Sequence, residues 1–196
     1  RGCAARGAVE AVMGANLDAY EASVCFAAVG ELMVSFSALN SCVDWSIEET
    51  LEIARKVIPN DLTPKMLKTD HRFSSKLLRL RSIFVGIDPA DSFEADWTRW
   101  SDDVKDIQRV RDDIGHGSTE LFNRHDEPGL RIENTRPNGE MISYTLSAVQ
   151  VGYLSRYSST CLSWLRAATA SAGDQLGDST PVQGMYFQYK KHQLLN

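Results

Sequence analysis

The sequence predicts a mainly α protein, an antiparallel helical bundle of four to five helices with one small β-hairpin before the last helix. Three observations predict it. Apolar residues recur at three- and four-residue steps through most of the chain, the period of a helix with one buried face. One segment, from Phe93 to Ile114, holds that stripe unbroken through seven apolar positions. Asn138-Gly139 sits between two short β-prone runs, a strong local sign of a hairpin turn.

Taken in order, Val29, Leu32, Met33, Phe36, Leu39 and Val43 predict a first amphipathic helix between Glu21 and Trp45. Ser46 and Glu49 stand at capping-box spacing and predict the start of a second, short helix carrying Leu51, Ala54 and Ile58. Pro59 and Asn60 break that pattern, and "NDLTP" reads as loop. Phe73, Leu77, Leu80 and Phe84 predict a third helix, which Gly86 and Pro89 in "VGIDPADS" bring to an end.

The fourth helix carries Phe93, Trp97, Trp100, Val104, Ile107, Val110 and Ile114, with Asp91 or Ser92 available as N-cap and Gly115 and Gly117 at its end. A polar loop follows, and then "LRIEN" and "EMISYTLS" flank the turn "TRPNG" as a hairpin. Val149, Tyr153, Tyr157, Cys161, Trp164 and Leu165 predict one side of a last helix. Beyond Ala172 the composition shifts to Gly, Ser, Asp and Pro, and the end, "MYFQYKKHQLL", is aromatic and basic. The expected organisation is an N-terminal extension (1–20), a helical domain (21–170), and a flexible linker with a tail (171–196).

Composition narrows the function classes. With 196 residues, 43% hydrophobic and 24% charged, the chain fits one ordinary globular domain rather than a disordered one. A net charge of −5 argues against a dedicated double-stranded DNA binder and restricts nucleic-acid contact to a local basic patch. Cys3, Cys25, Cys42 and Cys161 form no CxxC pair, and the four histidines have no metal-ligand spacing. There is no P-loop and no GxGxxG, so neither a metal nor a cofactor is expected. The scattered cysteines fit a reducing, cytoplasmic setting. The most apolar stretch, "VCFAAVGELMV", is interrupted by Glu31 and reads as too short to span a bilayer, so no membrane is expected. No signal peptide is visible, and a start at Arg1 leaves a leader or a larger parent chain open.

The stretch that asks for chemistry is "RVRDDIGHGS", residues 109–118, at the end of the fourth helix. Asp112 and His116 stand at i and i+4 on one helix face, where the carboxylate can accept a hydrogen bond from the imidazole and fix its tautomer. Arg111 lies one step round, beside the stripe that ends in Val110 and Ile114. Gly115 and Gly117 remove side chains from both sides of His116 and leave room for something large. A permanent positive charge, an imidazole and open space together suit a phosphodiester. A helix C-terminus also attracts arginine and histidine for dipole reasons alone, which is the purely structural reading of the same residues.

Other residues carry weaker readings. Arg72, Lys76 and Arg79, with Arg81, are interleaved with leucines and read either as a solvated helix face or as a surface tracking an RNA backbone. Trp97 and Trp100 belong to the core stripe. Asp102, Asp103 and Asp106 read as an exposed acidic face rather than a divalent-metal site. His125 reads as surface loop.

The "RDDIGHG" run, Arg111 to Gly117, closely resembles the R-(N/D/H)-x-x-x-H signature of HEPN domains, in the "RNDIAHG"-like form of prokaryotic defence and toxin proteins. The likeness rests on Arg111, Asp112, Ile114, His116 and Gly117, and as a pattern of helices it extends over residues 21–168. It implies a homodimer with two motifs facing one cleft, and metal-independent RNA cleavage with Arg111 and His116 as catalytic residues and Asp112 in support. It also implies an antitoxin or further domains of a larger chain as partners. Aspartate at 112 replaces the common asparagine, and Ser118 departs from the tyrosine of the RxxxxHxY form. The resemblance equally covers a non-catalytic alternative, a HEPN module that dimerises or binds RNA or a protein without cutting.

Overall fold

The computed structural model describes residues 18–87, 91–124 and 127–174. Most of the expected N-terminal extension, Pro89, His125, and the linker and tail beyond residue 174 fall outside these. Helices α1 (Ala19–Val57), α2 (Pro64–Leu67), α3 (Phe73–Ile87) and α4 (Asp91–His116) are followed by strands β1 (Ser118–Arg124), β2 (Glu127–Thr135) and β3 (Met141–Ser147), then α5 (Ala148–Asp174). The protein is mainly helical with a small antiparallel sheet, in the order β1-β2-β3.

Helix α1 is one 39-residue helix, not the two expected. Its capping box is Asp18 with Glu21: the Asp18 carboxylate accepts from the Glu21 N–H at 2.8 Å, and Glu21 accepts from the Asp18 N–H at 3.0 Å. Ser46 and Glu49 have the same spacing but cap nothing. Ser46 is fully buried in mid-helix, where its hydroxyl accepts from Thr169 Oγ1 at 2.9 Å, so α5 covers the place where a break was expected. Continuity also corrects the reading of length: α1 is long and apolar enough to cross a membrane, by length and composition alone.

Two further expectations shift. The segment read as a polar loop after α4 is β1, an edge strand paired with β2 from Ser118↔Glu133 to Arg124↔Glu127. The hairpin is therefore part of a three-stranded sheet. Its β2–β3 turn is as expected, with Gly139 at φ 83° and the Gly139 N–H donating to the Arg136 carbonyl at 2.8 Å. The second shift is the packed face of α5. Val149 and Tyr153 stand 56% and 40% exposed, while Val151 and Leu154 turn inward with Cys161, Trp164 and Leu165. Ser147 and Gln150 cap α5 reciprocally, and that fixes where its first turn begins.

The core lies between α1, α3, α4 and α5. Leu32, Leu39, Val43, Leu80, Ile83, Val104, Ile107 and Leu165 are completely or almost completely buried. Trp97 and Trp100 sit in it as expected, their rings 4.9 Å apart, with Trp164 stacked on Trp100 at 5.2 Å. Helix α5 runs opposite to α4, since Trp97, Trp100 and Asp103 meet Trp164, Cys161 and Tyr157. It runs in the same direction as α1, because Ser46 meets Thr169 and Ile53 meets Gly173. The bundle is thus mixed rather than purely antiparallel, with the sheet inserted between α4 and α5.

Tyr157 donates to the Asp103 carboxylate, and burial, then that bond and charge, hold its phenol well above the ordinary value of 10.0. Tyr144 is shifted the same way, by burial first and then by Asp113. As pH rises past about 10, unfolded phenols lose protons that the folded ones keep, so the unfolded state binds fewer protons and stability falls. Denaturant midpoints on either side of pH ~10 should show this loss. Tyr157→Phe should flatten it, and an equal alkaline slope in both proteins would refute the assignment.

Candidate functional site

The site is built on the last two turns of α4. Its apolar stripe (Trp97, Trp100, Val104, Ile107, then partly buried Val110 and Ile114) fixes the helix against the core and sets which residues face outward. Arg111 is half-buried. Its guanidinium lies 5.8 Å from the Phe36 ring on α1, and Nη1 bonds the neighbouring Asp112 carboxylate at 2.8 Å. His116, the last residue of α4, is exposed. Five residues at about 100° each place Arg111 and His116 roughly 140° apart around the helix. Between them lies Gly115, where an added Cβ would meet nothing within 4 Å.

The expected Asp112–His116 hydrogen bond is not formed. One Asp112 oxygen takes Arg111, and the other accepts from Gln108 Nε2 at 3.3 Å. An adjacent guanidinium, charged and planar, competes better for a carboxylate than an exposed imidazole four residues on. Asp112 therefore supports the arginine, not the histidine.

The residue that sequence reading passed over is Asp113. It is 4% exposed and accepts from Asn134 Nδ2 at 3.0 Å and from the Tyr144 hydroxyl at 3.1 Å, with Arg136 Nη2 at 3.9 Å. Its own carbonyl accepts from the Gly117 N–H at 2.9 Å. One acidic side chain thus fastens the end of α4 to β2, β3 and the turn between them. A signal was present, since an acidic residue between Val110 and Ile114 stands at the edge of the apolar stripe and needs partners. Which partners it finds depends on strand register, set far away in sequence.

The two glycines flanking His116 do different jobs. A Cβ on Gly117 would sit 2.5 Å from the Asp113 carbonyl oxygen and 2.7 Å from that of Glu133. Both are backbone atoms and cannot step aside cheaply. Gly117 lets the helix end and β2 touch, whereas Gly115 leaves open surface. Gly117→Ala should cost about 1–3 kcal/mol through overpacking. Gly115→Ala should be neutral or slightly stabilising, because alanine favours a helix by up to about 1 kcal/mol. Thermal unfolding of both variants checks the contrast, and equal melting temperatures would contradict it.

The basic residues read as an RNA track lie on and just before α3. Lys76, 12% exposed, bonds Asp44 at 2.7 Å and Asn40 at 3.3 Å on α1. Arg79 donates through Nε to the Met66 carbonyl at 2.7 Å, and Arg81 pairs with Glu94. Arg72 is exposed. Lys76 and Arg79 therefore brace α3 against α1 and α2 rather than standing free. Asp102 pairs with Lys105 and Asp106 with Arg109 along the helix, while Asp103 accepts from Tyr157 on α5, so the acidic run is spoken for. Burial pushes the Cys161 thiol up to about 12, which leaves it an inert core residue.

Compared with known proteins, the chain matches no family model, no curated protein and no solved structure.

Proposed function

We propose that the protein is a HEPN-type, metal-independent endoribonuclease of a prokaryotic defence or toxin–antitoxin-like system, working as a homodimer in the cytoplasm. The observation that carries this reading is the end of α4, where a braced arginine and an exposed imidazole flank a glycine with open space above it. Three buried free cysteines, Cys25, Cys42 and Cys161, support a reducing compartment.

In this scheme His116 takes the proton of a ribose 2′-hydroxyl, and the oxygen attacks the adjacent phosphorus. The 2′-O–P bond forms and the P–O5′ bond breaks. The charge that gathers on the phosphoryl oxygens is stabilised by Arg111. The departing 5′-oxygen receives its proton from the second subunit's motif. The products are a 2′,3′-cyclic phosphate and a 5′-hydroxyl. The partner could be an antitoxin or further domains of a longer chain that cover this cleft.

One observation favours a second reading, a non-catalytic HEPN module that dimerises or binds RNA or a protein. Asp112 already neutralises Arg111 within one protomer, at 2.8 Å, and a phosphate would have to compete with it. Incubation of the purified chain with mixed RNA in EDTA separates the two. Cleavage with cyclic phosphate ends supports the nuclease. A dimer that binds RNA or a partner but leaves every RNA intact supports the module.

A further inference from the structure

Among the described residues, none packs over the side of α1 that faces away from the core. Helices α3 and α5 take one side of it, and only 28% of its most apolar window is buried within the chain. On the open side Phe26 is 64% exposed and Val34 71%, each four residues from Gly30, where a Cβ would meet nothing within 4 Å. Exposed Ser23 and Ser37 follow three residues further out on either side. The spacing 23, 26, 30, 34, 37 reads the same in both directions. Between Tyr20 and Trp45 the face is uncharged apart from its margins, where Glu31 and the Lys76-bound Asp44 stand.

We propose that this face seats a second copy of the chain, antiparallel, on a two-fold axis through Gly30. An isologous interface needs a surface that complements itself, and a palindromic row on one helix provides it. The axis brings Phe26 of one protomer against Val34 of its mate and Ser23 against Ser37, while Gly30 lets the two backbones close together. No like charges meet at the centre. With the axis at Gly30, Tyr20 to Asn40 overlap the same stretch of the mate, about 30 Å at 1.5 Å per residue, and half the circumference of a helix is about 17 Å. That is roughly 500 Å² per chain, or about 1,000 Å² in all, the lower bound for a specific interface. A lipid bilayer fits less well, since the exposed Glu31 carboxylate would have to enter hydrocarbon. The inference needs neither RNA nor catalysis but shares the homodimer of the ribonuclease reading: a monomeric wild type would sink both, whereas a dimeric wild type with no cross-link at position 30 would sink this face alone.

Sedimentation and light scattering of the full chain test it. The wild type should run at twice its 21.8 kDa monomer mass at micromolar concentration. Phe26→Lys and Val34→Glu should each weaken self-association by roughly thirty-fold or more. The variant carrying both substitutions should recover the dimer, because opposite charges then face across the axis. Gly30→Cys, in a Cys3→Ser background, should form an intermolecular disulfide on mild oxidation. A monomeric wild type, no recovery in the double variant, or no cross-link at position 30 would overturn the proposal. So would uptake of the wild type, but not of Val34→Glu, by phosphatidylcholine vesicles, which would assign the face to a membrane.

Discussion

His116→Ala should reduce RNA cleavage by roughly a hundred- to ten-thousand-fold, the usual worth of one general acid–base group. His116 is exposed and makes no side-chain hydrogen bond or ion pair among the described residues, so the variant should keep its melting temperature. Arg111→Ala should lose a comparable amount, since charge stabilisation at the transition state is worth about 10²–10³ in rate. Arg111→Lys separates charge from geometry, because an ammonium lacks the planar fork that meets two phosphoryl oxygens. Asp112→Asn is the informative companion. It keeps a polar partner for Arg111 but removes the negative charge, so substrate affinity should rise while the proton chemistry of His116 is untouched. Initial rates on a labelled RNA, with end-group analysis of products, read all four variants. Cleavage that survives in His116→Ala would move the chemistry elsewhere.

The largest stability effect should come from Asp113→Ala. Loss of the carboxylate leaves the Tyr144 hydroxyl and the Asn134 amide without a charged acceptor in a nearly buried site. Hydrogen bonds to a charged group contribute about 1.5–3 kcal/mol each. Arg136 adds little, being 3.9 Å away with a third of its side chain in water. The expected cost is roughly 3 kcal/mol, a fall in melting temperature on the order of 6–12 °C for a chain of this size. Tyr144→Phe removes one of the two bonds and should cost about 1.5 kcal/mol. A wild-type melting curve for Asp113→Ala would show that the sheet is held to α4 by other means.

What could be read in the sequence followed from period. The α4 stripe was legible because seven apolar residues at helical steps admit one arrangement, and Trp97 to Ile107 are buried as that arrangement requires. The Asn138-Gly139 turn was legible because its backbone geometry is local. β1 was not, because "STELFNR" has two apolar residues and gains its order from pairing with β2. The α5 face was misread for a different reason. Val149 with Tyr153, and Val151 with Leu154, each continue a helical stripe, and neighbouring helices decide between them. At the site, the positions of Arg111 and His116 on the end of α4 were legible. The ion pair that turns Asp112 away from His116 was not, since competing short-range partners differ by less than spacing can resolve. Asp113 was visible as an oddity, but its partners come from strands 21 and 31 residues away.

Most helices have an end that frays, with terminal turns opening at little cost in free energy. The end of α4 has no such freedom. Gly117 closes its last turn with a backbone hydrogen bond, β1 begins at the next residue, and Asp113 sews the turn to two further strands. The amides around residues 113–117 should therefore exchange with solvent as slowly as those of a helix centre, although His116 itself lies in water. The imidazole is carried on an immobile backbone and keeps only its own two torsions. Whatever docks there has two rotors to freeze, and no loop to order first.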